Sequence, residues 1–272
     1  HFISVLGTGN YRVAKYCYND VCFETKFVQE AILSCLFGDK LDDDDKISVF
    51  ITDEAKEKNW EHENENCLKD ILKNKYKNIE IKDKKIPTGK NDDELMSMFE
   101  TIYNEIEEGD EIYFDITHGL RNIPMFALTI ISYSRVLKNV KLGGIYYGAF
   151  EVSDKDTGIT PIFDMTMYMN ILDWTTASEL MIKYGNASMI KDVYYEEKKS
   201  CPQEMKKSLG KLEKPINSLE RFTSCIQTSR GKINDDESSS IQKAYSKFIE
   251  KFNAINEEEK YLFEKIKSKS IQ

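Results

Sequence analysis

The chain has 272 residues, a formal net charge of −9 at pH 7, 40% hydrophobic residues and 31% charged residues. This composition is typical of a globular protein that builds one large core or two smaller ones. The negative charge argues against binding of long nucleic acid, which depends on many phosphate contacts from a basic face. No apolar run reaches the ~18 residues of a membrane span. We therefore expect no membrane partner and no long nucleic acid, while a local basic pocket for a small anion remains open.

The cysteines and the acidic run give no sign of a metal site. The six cysteines form no C-x-x-C pair and lack histidines at ligand spacing, so we interpret them as reduced thiols of a cytoplasmic protein. Residues 42–46 are interpreted as a solvated loop, because adjacent carboxylates in a loop do not converge on one ion. We expect no metal and no cofactor. The chain starts with His1 instead of Met, and we expect that a residue or tag preceded it.

A short β-strand pattern at residues 2–6 ends in Gly-Thr-Gly-Asn-Tyr, which we call the glycine loop (residues 7–11). It resembles half of a dinucleotide-binding fingerprint, but Arg12 replaces the third glycine and no helix follows, which disfavours nicotinamide binding. Glycines let a backbone approach a ligand closely; a plain tight turn is the alternative. Next, residues 13–18 and 21–25 flank Asn19-Asp20, a pattern that predicts a β-hairpin.

Strand and helix patterns then alternate along the chain. The sequence predicts helices at 27–37, after Thr52-Asp53, at 92–106 and at 125–136, and strands at 47–51, 79–81, 112–114, 143–150 and 159–163. Such alternation is typical of βαβ units. The predicted fold class is α/β: a Rossmann-like, mostly parallel sheet flanked by helices, with an N-terminal β-hairpin, followed by an α-helical segment.

The pattern changes after the last predicted strand. Residues 165–183 carry a broad apolar helical stripe, and residues 205–271 have apolar positions at helical spacing. We expect helix breaks at Gly210, at Pro215 and at residues 231–236. The predicted domains are residues 1–164, the Rossmann-like part, and residues 165–272, the helical part.

The most informative stretch is the segment after the strand at 112–114, which we call the elbow (residues 115–122). It reads Asp-Ile-Thr-His-Gly-Leu-Arg-Asn and precedes an apolar helix. Ligands of open α/β sheets bind outside the carboxyl ends of the strands, where a helix N-terminus favours an anion. Arg121 is the expected phosphate cation, with an ion pair to Asp115 as the alternative. His118 is either a ligand contact or a structural histidine, and Asp115 is expected to organise the loop.

The candidate site combines both loops with the end of the strand at 143–150. Thr8 and Asn10 are candidates for hydrogen bonds to phosphate or ribose, or else are surface turn residues. Tyr146 or Tyr147 offers a ring for stacking on a base, with core packing as the alternative. The candidate ligand-binding residues are Gly7, Thr8, Gly9, Asn10, Tyr11, Thr117, His118, Gly119, Arg121, Asn122, Tyr147 and Gly148.

The motifs Leu-Gly-Thr-Gly-Asn-Tyr and Asp-Ile-Thr-His-Gly-Leu-Arg-Asn-Ile-Pro resemble those of CARF (CRISPR-associated Rossmann fold) domains from ancillary proteins of type III CRISPR systems. The resemblance covers about residues 2–190. It implies a homodimer that senses a cyclic oligoadenylate second messenger across its two-fold axis in antiviral defence, with tetra- or hexa-adenylate favoured. A ring of even size matches a two-fold site made of two elbows.

The resemblance leaves the output open. Many family members carry a HEPN ribonuclease domain with an arginine and a histidine, but no histidine follows His118 here, so we expect a truncated sensor or another output. One alternative is a metal-independent ring nuclease, in which Thr8, Asn10, His118 and Arg121 align a ribose 2′-hydroxyl for attack. A transcriptional regulator is the third reading, disfavoured because residues 205–272 show no helix-turn-helix pattern. No catalytic residue is assigned.

Overall fold

A computed structural model describes residues 1–61, 67–118, 123–201, 203–228 and 235–254. The chain divides into two compact units, residues 1–166 and residues 167–272. Within the described residues, no helix is both long enough and apolar enough to cross a membrane.

The first unit is built on an eight-stranded sheet. Its strands are β1 (Phe2–Leu6), β2 (Ala14–Tyr18), β3 (Val21–Thr25), β4 (Lys46–Ile51), β5 (Glu80–Lys85), β6 (Glu111–Asp115), β7 (Lys141–Gly148) and β8 (Ile159–Asp164). Their order is β3-β2-β8-β7-β6-β1-β4-β5. Strands β7, β6, β1, β4 and β5 are mutually parallel, whereas β8 runs antiparallel to β7 and β3 antiparallel to β2. The predicted Rossmann-like, mostly parallel sheet with an N-terminal hairpin is confirmed.

The helices follow the predicted alternation with one correction. In the first unit they are α1 (Val28–Leu36), α2 (Asp53–Ala55), α3 (Leu68–Lys75), α4 (Asp92–Glu105) and α5 (Ile123–Leu137). The single helix predicted after Thr52 is instead the short α2, a π-helix (Lys56–Trp60) and the separate α3. A 3₁₀ turn (Phe150–Val152) follows β7.

The core of this unit forms around β1, whose five residues are all buried. Phe2 and Leu6 belong to the cluster that also contains Val28 and Ile32 of α1 and Trp60. A strand buried on both faces needs apolar side chains in succession, which is what the sequence of β1 supplies apart from Ser4. Each fully buried aliphatic or aromatic side chain contributes about 1.5–3 kcal/mol relative to exposure. The central strand is thereby fixed, and with it the position of the loop that follows.

The N-terminal hairpin corrects one prediction. The register pairs Cys17 with Cys22 across the two-residue turn, where Asn19 takes a φ of 51°. Their Cα atoms are 4.1 Å apart and the two residues form a disulfide, so the prediction of six reduced thiols is wrong for this pair. Directly opposed residues of a hairpin are close enough for such a bond. The other four cysteines are reduced thiols: Cys35, Cys67, Cys201 and Cys225.

The second unit is helical, with α6 (Met167–Tyr184), α7 (Ser188–Ser200), α8 (Gln203–Thr228) and α9 (Asp235–Asn253) among its described residues. Helix α8 continues through Gly210 and Pro215, so the predicted breaks there are wrong. Ile216 and Leu219, on the turn after the proline, are fully buried in the core of this unit. Burial of that helix face in the core compensates for the loss of the backbone hydrogen bond that the proline cannot donate. Most of the third predicted break lies outside the described residues.

The disulfide gives a direct test in the full chain. Four thiols per chain should react with a thiol reagent after denaturation without reductant, and six after reduction, because Cys17 and Cys22 form a disulfide and the other four cysteines are reduced. The measurement is thiol titration together with intact-mass analysis. Six reactive thiols before reduction would contradict the bonded hairpin.

Candidate functional site

The two predicted loops lie at one edge of the sheet. Strands β7, β6 and β1 are parallel neighbours, so their carboxyl ends point the same way. The glycine loop follows β1, the elbow follows β6, and Gly148 ends β7. This edge therefore holds the described residues of the candidate site, as expected for the ligand crevice of an open α/β sheet.

Tyr11 links the glycine loop to the elbow. Its ring lies on the ring of His118, with centroids 4.3 Å apart and an interplanar angle of 34°, and meets Phe27 edge-on at 5.7 Å. Burial raises the pKa of the Tyr11 phenol, which therefore stays protonated at neutral pH. A Cβ added at Gly9 would lie 3.3 Å from the Tyr11 ring, so this glycine serves close packing. Thr8 and Asn10 are exposed on the same loop.

The glycine loop is held from behind by Asn59, which the sequence analysis missed. The side-chain amide of Asn59 donates hydrogen bonds to the carbonyl oxygens of Gly7 and Gly9, each at 3.0 Å. Asn59 is 4% exposed and lies in the π-helix after β4. An asparagine within a predicted helix carries no signal of such a contact. Only the Trp60 beside it marks that turn of the chain as buried.

Beneath the elbow lies a buried polar network centred on Asp115. The Ser4 hydroxyl donates to Asp115 Oδ2 at 2.7 Å, and the Gln29 amide donates to Ser4 Oγ at 3.1 Å. The backbone N–H of Thr117 donates to Asp115 Oδ1 at 2.9 Å. Burial raises the pKa of the Asp115 carboxyl, while its hydrogen bonds act in the opposite direction. With its oxygens engaged inside the protein, Asp115 organises the elbow instead of facing a ligand.

Thr117 and Gly148 bond to each other. The backbone N–H of Gly148 donates to Thr117 Oγ1 at 2.8 Å, which ties the end of β7 to the end of β6. A Cβ at Gly148 would lie 2.3 Å from Val28 Cγ2 in the fully buried start of α1. The Gly148 N–H is thus already hydrogen-bonded within the protein. The absence of a side chain at Gly148 lets α1 pack closely against β7.

His118 ends the described part of the elbow. Its Nε2 is buried and has no hydrogen-bond partner among the described residues. Burial lowers the pKa of His118, against an opposing effect of the Asp115 charge, so the imidazole is neutral at pH 7. A neutral imidazole offers one donor and one acceptor nitrogen but no positive charge. Gly119, Arg121 and Asn122, the other predicted elbow contacts, lie outside the described residues.

The tyrosines at the end of β7 separate into two environments. Tyr146 is buried in the core and meets Tyr18 edge-on at 5.6 Å, which corresponds to the core-packing alternative. Tyr147 is half-buried and hydrogen-bonds to Glu151. Burial, with the Glu151 carboxylate adding to it, raises the pKa of Tyr147 to about 12. Tyr147 is therefore the more exposed of the two rings at this strand end.

No group of three or more histidine, cysteine or acidic side chains within the described residues is arranged to hold a metal ion. The described site instead consists of backbone amides, hydroxyls, a neutral histidine and aromatic rings. Such groups can hydrogen-bond and stack on a nucleotide.

Comparison with known proteins identifies the family. The family model described as the CARF domain of the CRISPR system endoribonuclease Csx1 matches residues 1–151. The chain belongs to this CARF family. The resemblance found in the glycine loop and elbow is thereby confirmed, and both motifs fall inside the matched CARF domain.

Two further proteins are similar to this chain. The CRISPR-associated protein MJ1674 of Methanocaldococcus jannaschii is 32% identical over 142 residues, which cover 52% of this chain and 22% of the relative. The chain thus spans about a fifth of that curated relative. A solved structure of Enterococcus italicus Csm6 bound to cyclic hexa-2′-fluoro-hexa-dAMP aligns with 92% of this chain and 60% of its own, at 14% identity and a TM-score of 0.36.

The packing of Gly148 predicts a destabilising substitution. Gly148→Ala should lower the free energy of unfolding by roughly 1–3 kcal/mol, because its Cβ would overlap a buried valine that cannot move aside. Gly210→Ala is the matched control: it lies in helix α8 with no atom within 4 Å of the added Cβ, and should stabilise by roughly 0.5–1 kcal/mol. Urea unfolding of both variants measures the difference, and equal effects would contradict the packing.

The burial of His118 predicts a pH dependence. Its folded pKa lies below the usual 6.5, so the unfolded chain takes up a proton first as pH falls, and stability is lost from pH 6.5 downwards. His118→Gln should reduce this loss by at most about 1.4 kcal/mol per pH unit. The raised pKa of Asp115 has the opposite effect on stability as pH falls, and this effect remains in the His118→Gln variant. Urea unfolding of the wild type and of His118→Gln at pH 7 and pH 5.5 tests this prediction. If the free energy of unfolding changes equally with pH in both proteins, His118 is not the titrating group.

Proposed function

We propose that the chain is a sensor of a cyclic oligoadenylate second messenger in type III CRISPR antiviral defence, and that it binds the ring across a homodimer interface and relays binding to an effector output. The observation that carries the proposal is the meeting of the glycine loop and the elbow through the Tyr11–His118 ring contact, at the carboxyl edge of a CARF sheet. Ligand crevices of this fold class lie at that edge.

The chemistry of the edge suits a ring of adenylates. Each unit of the ring presents a phosphate, a ribose and a base. Helix α5 begins at Ile123 beside this edge, and a helix N-terminus favours a phosphate group. The glycine loop adds exposed backbone, and Tyr147 adds a half-buried ring on which a base can stack. In an acidic protein, these local donors supply the attraction that net charge does not.

The homodimer is supported by the exposed face of α5. Met125 is 75% exposed and Val136 is 81% exposed. They are about three helical turns apart and therefore lie on the same face of the helix. A second copy that covers this face would bring two α5 N-termini, and hence two elbows, around one axis. A ring of four or six adenylates has the even symmetry that such a site requires.

Slow cleavage of the bound ring is the second candidate function. The neutral state of His118 favours it, because a neutral imidazole can accept the proton of a ribose 2′-hydroxyl. The 2′-oxygen then bonds to the neighbouring phosphorus, the bond from that phosphorus to the 5′-oxygen of the next nucleotide breaks, and the imidazolium can return the proton to that oxygen. Thr8, Asn10 and Arg121 are the groups proposed to align the ribose and to stabilise charge. No metal is needed for this reaction.

Calorimetric titration of the full chain with cyclic tri-, tetra- and hexa-adenylate tests the proposal, with the products of each mixture separated by chromatography. We expect one tetra- or hexa-adenylate ring to bind per two chains and to remain intact. Accumulation of linear fragments would assign the ring-nuclease function instead. Absence of binding to every ring would overturn the proposal.

The same titration measures the role of Arg121. Arg121→Ala should weaken ring binding by roughly ten- to a hundred-fold, since each charged hydrogen bond is worth about 1.5–3 kcal/mol. Lys77→Ala is the matched control, because it removes one positive charge from the loop before β5, at the opposite edge of the sheet. Equal affinities of the two variants would remove Arg121 from the site.

A further inference from the structure

Asn59 holds two alternate carbonyl groups of the glycine loop with one side chain. Its amide nitrogen lies 3.0 Å from the carbonyl oxygen of Gly7 and 3.0 Å from that of Gly9. A side-chain amide has two N–H donors, and here both have an acceptor. The donor and the loop are about fifty residues apart in the chain, so the contact is a product of the tertiary fold.

This contact fixes the direction of the intervening amides. The Gly7–Thr8 and Gly9–Asn10 peptides are trans, and in a trans peptide the C=O and the N–H point in opposite directions. Because Asn59 binds both carbonyls from the protein side, the N–H groups of Thr8 and Asn10 point away from it. Thr8 and Asn10 are both exposed. Two backbone donors of one loop therefore face outward at the carboxyl edge of the sheet.

The backbone around Asn59 is built to bury it. Asn59 lies in the π-helix Lys56–Trp60, where the Glu61 N–H donates to the Lys56 carbonyl at 2.9 Å. The helix before it is capped by Thr52, whose hydroxyl accepts from the Ala55 N–H. Trp60 is completely buried beside Asn59. A single π turn is rare and frequently occurs at functional sites, and here it turns a polar side chain inward beneath the loop.

We propose that Asn59 is the positioning residue of the ligand-binding glycine loop, and that it presets the Thr8 and Asn10 N–H groups to donate to anionic oxygens of the ring phosphates. The inference rests on the proposed function, since it assigns a role within the same site. Two N–H groups that point outward from one loop can both donate to an anion. Preset donors save the entropy of ordering the loop on binding.

The isosteric variant Asn59→Asp separates positioning from shape. The aspartate keeps the volume of the side chain but replaces the two donors with carboxylate oxygens, which repel the carbonyls of Gly7 and Gly9. Asn59→Ala removes the contact without adding charge. Asn78→Ala, in the loop before β5 at the opposite edge of the sheet, is the control for loss of an asparagine.

The experiment follows backbone amides of the ¹⁵N-labelled full chain by NMR, with cyclic tetra- and hexa-adenylate as probes. In the wild type, we expect the ring that binds to shift the Thr8 and Asn10 amide protons downfield. In both Asn59 variants, affinity should fall roughly ten-fold or more, as for loss of charge-assisted hydrogen bonds. The core amides of β1 and β6 and the Asn78→Ala affinity should not change.

The outcomes distinguish this inference from the proposed function. If the wild type binds neither ring, the proposed function fails and the inference falls with it. If the wild type binds a ring but its Thr8 and Asn10 amides do not shift, the inference alone is overturned, whether or not the variants fold. Wild-type affinity in a folded Asn59→Asp variant would also overturn the inference while leaving the proposed function intact.

Discussion

The buried carboxyl group of Asp115 is the constraint on which the candidate site depends. A buried carboxyl group is costly unless its oxygens accept hydrogen bonds, and removing one partner leaves that cost uncompensated. Ser4 of β1 and the Thr117 backbone supply the donors here, with Gln29 of α1 bonded behind Ser4. Strands β1 and β6 and helix α1 must therefore keep their relative positions, and the Thr117 hydroxyl extends this requirement to β7 through Gly148.

Above the Asp115 network, each loop of the site is held by contacts of its own. Asp115 binds the Thr117 N–H in the described part of the elbow, Asn59 binds two carbonyls of the glycine loop, and the Tyr11–His118 contact joins the two loops. None of these supports uses a positive charge. An acidic protein can hold a polyanion in this way because oriented N–H groups and helix ends act over a few ångströms, where net charge matters little.

The sequence predicted the fold better than the supports of the site. Alternating strand and helix patterns gave the sheet, and Asn19-Asp20 gave the hairpin, since both signals are local. The turn at Asn19-Asp20 places Cys17 opposite Cys22, but the prediction of reduced thiols rested on the absence of C-x-x-C spacing and did not use that register. Asn59 was not predictable, because its contacts depend on a π turn and on a loop about fifty residues away. The helix through Pro215 was missed because burial of Ile216 outweighs local propensity.

The Tyr11–His118 contact also limits how a ligand can act on this edge. A ligand shifts a conformational equilibrium only by the difference in its affinity for the two states. The network below the elbow is buried and hydrogen-bonded, so its alternative arrangements cost unsatisfied polar groups. The two loops above it are joined by ring packing, which costs far less to rearrange. Under the proposed function, a cyclic oligoadenylate that contacts both loops would therefore act through the Tyr11–His118 contact and not through the Asp115 network.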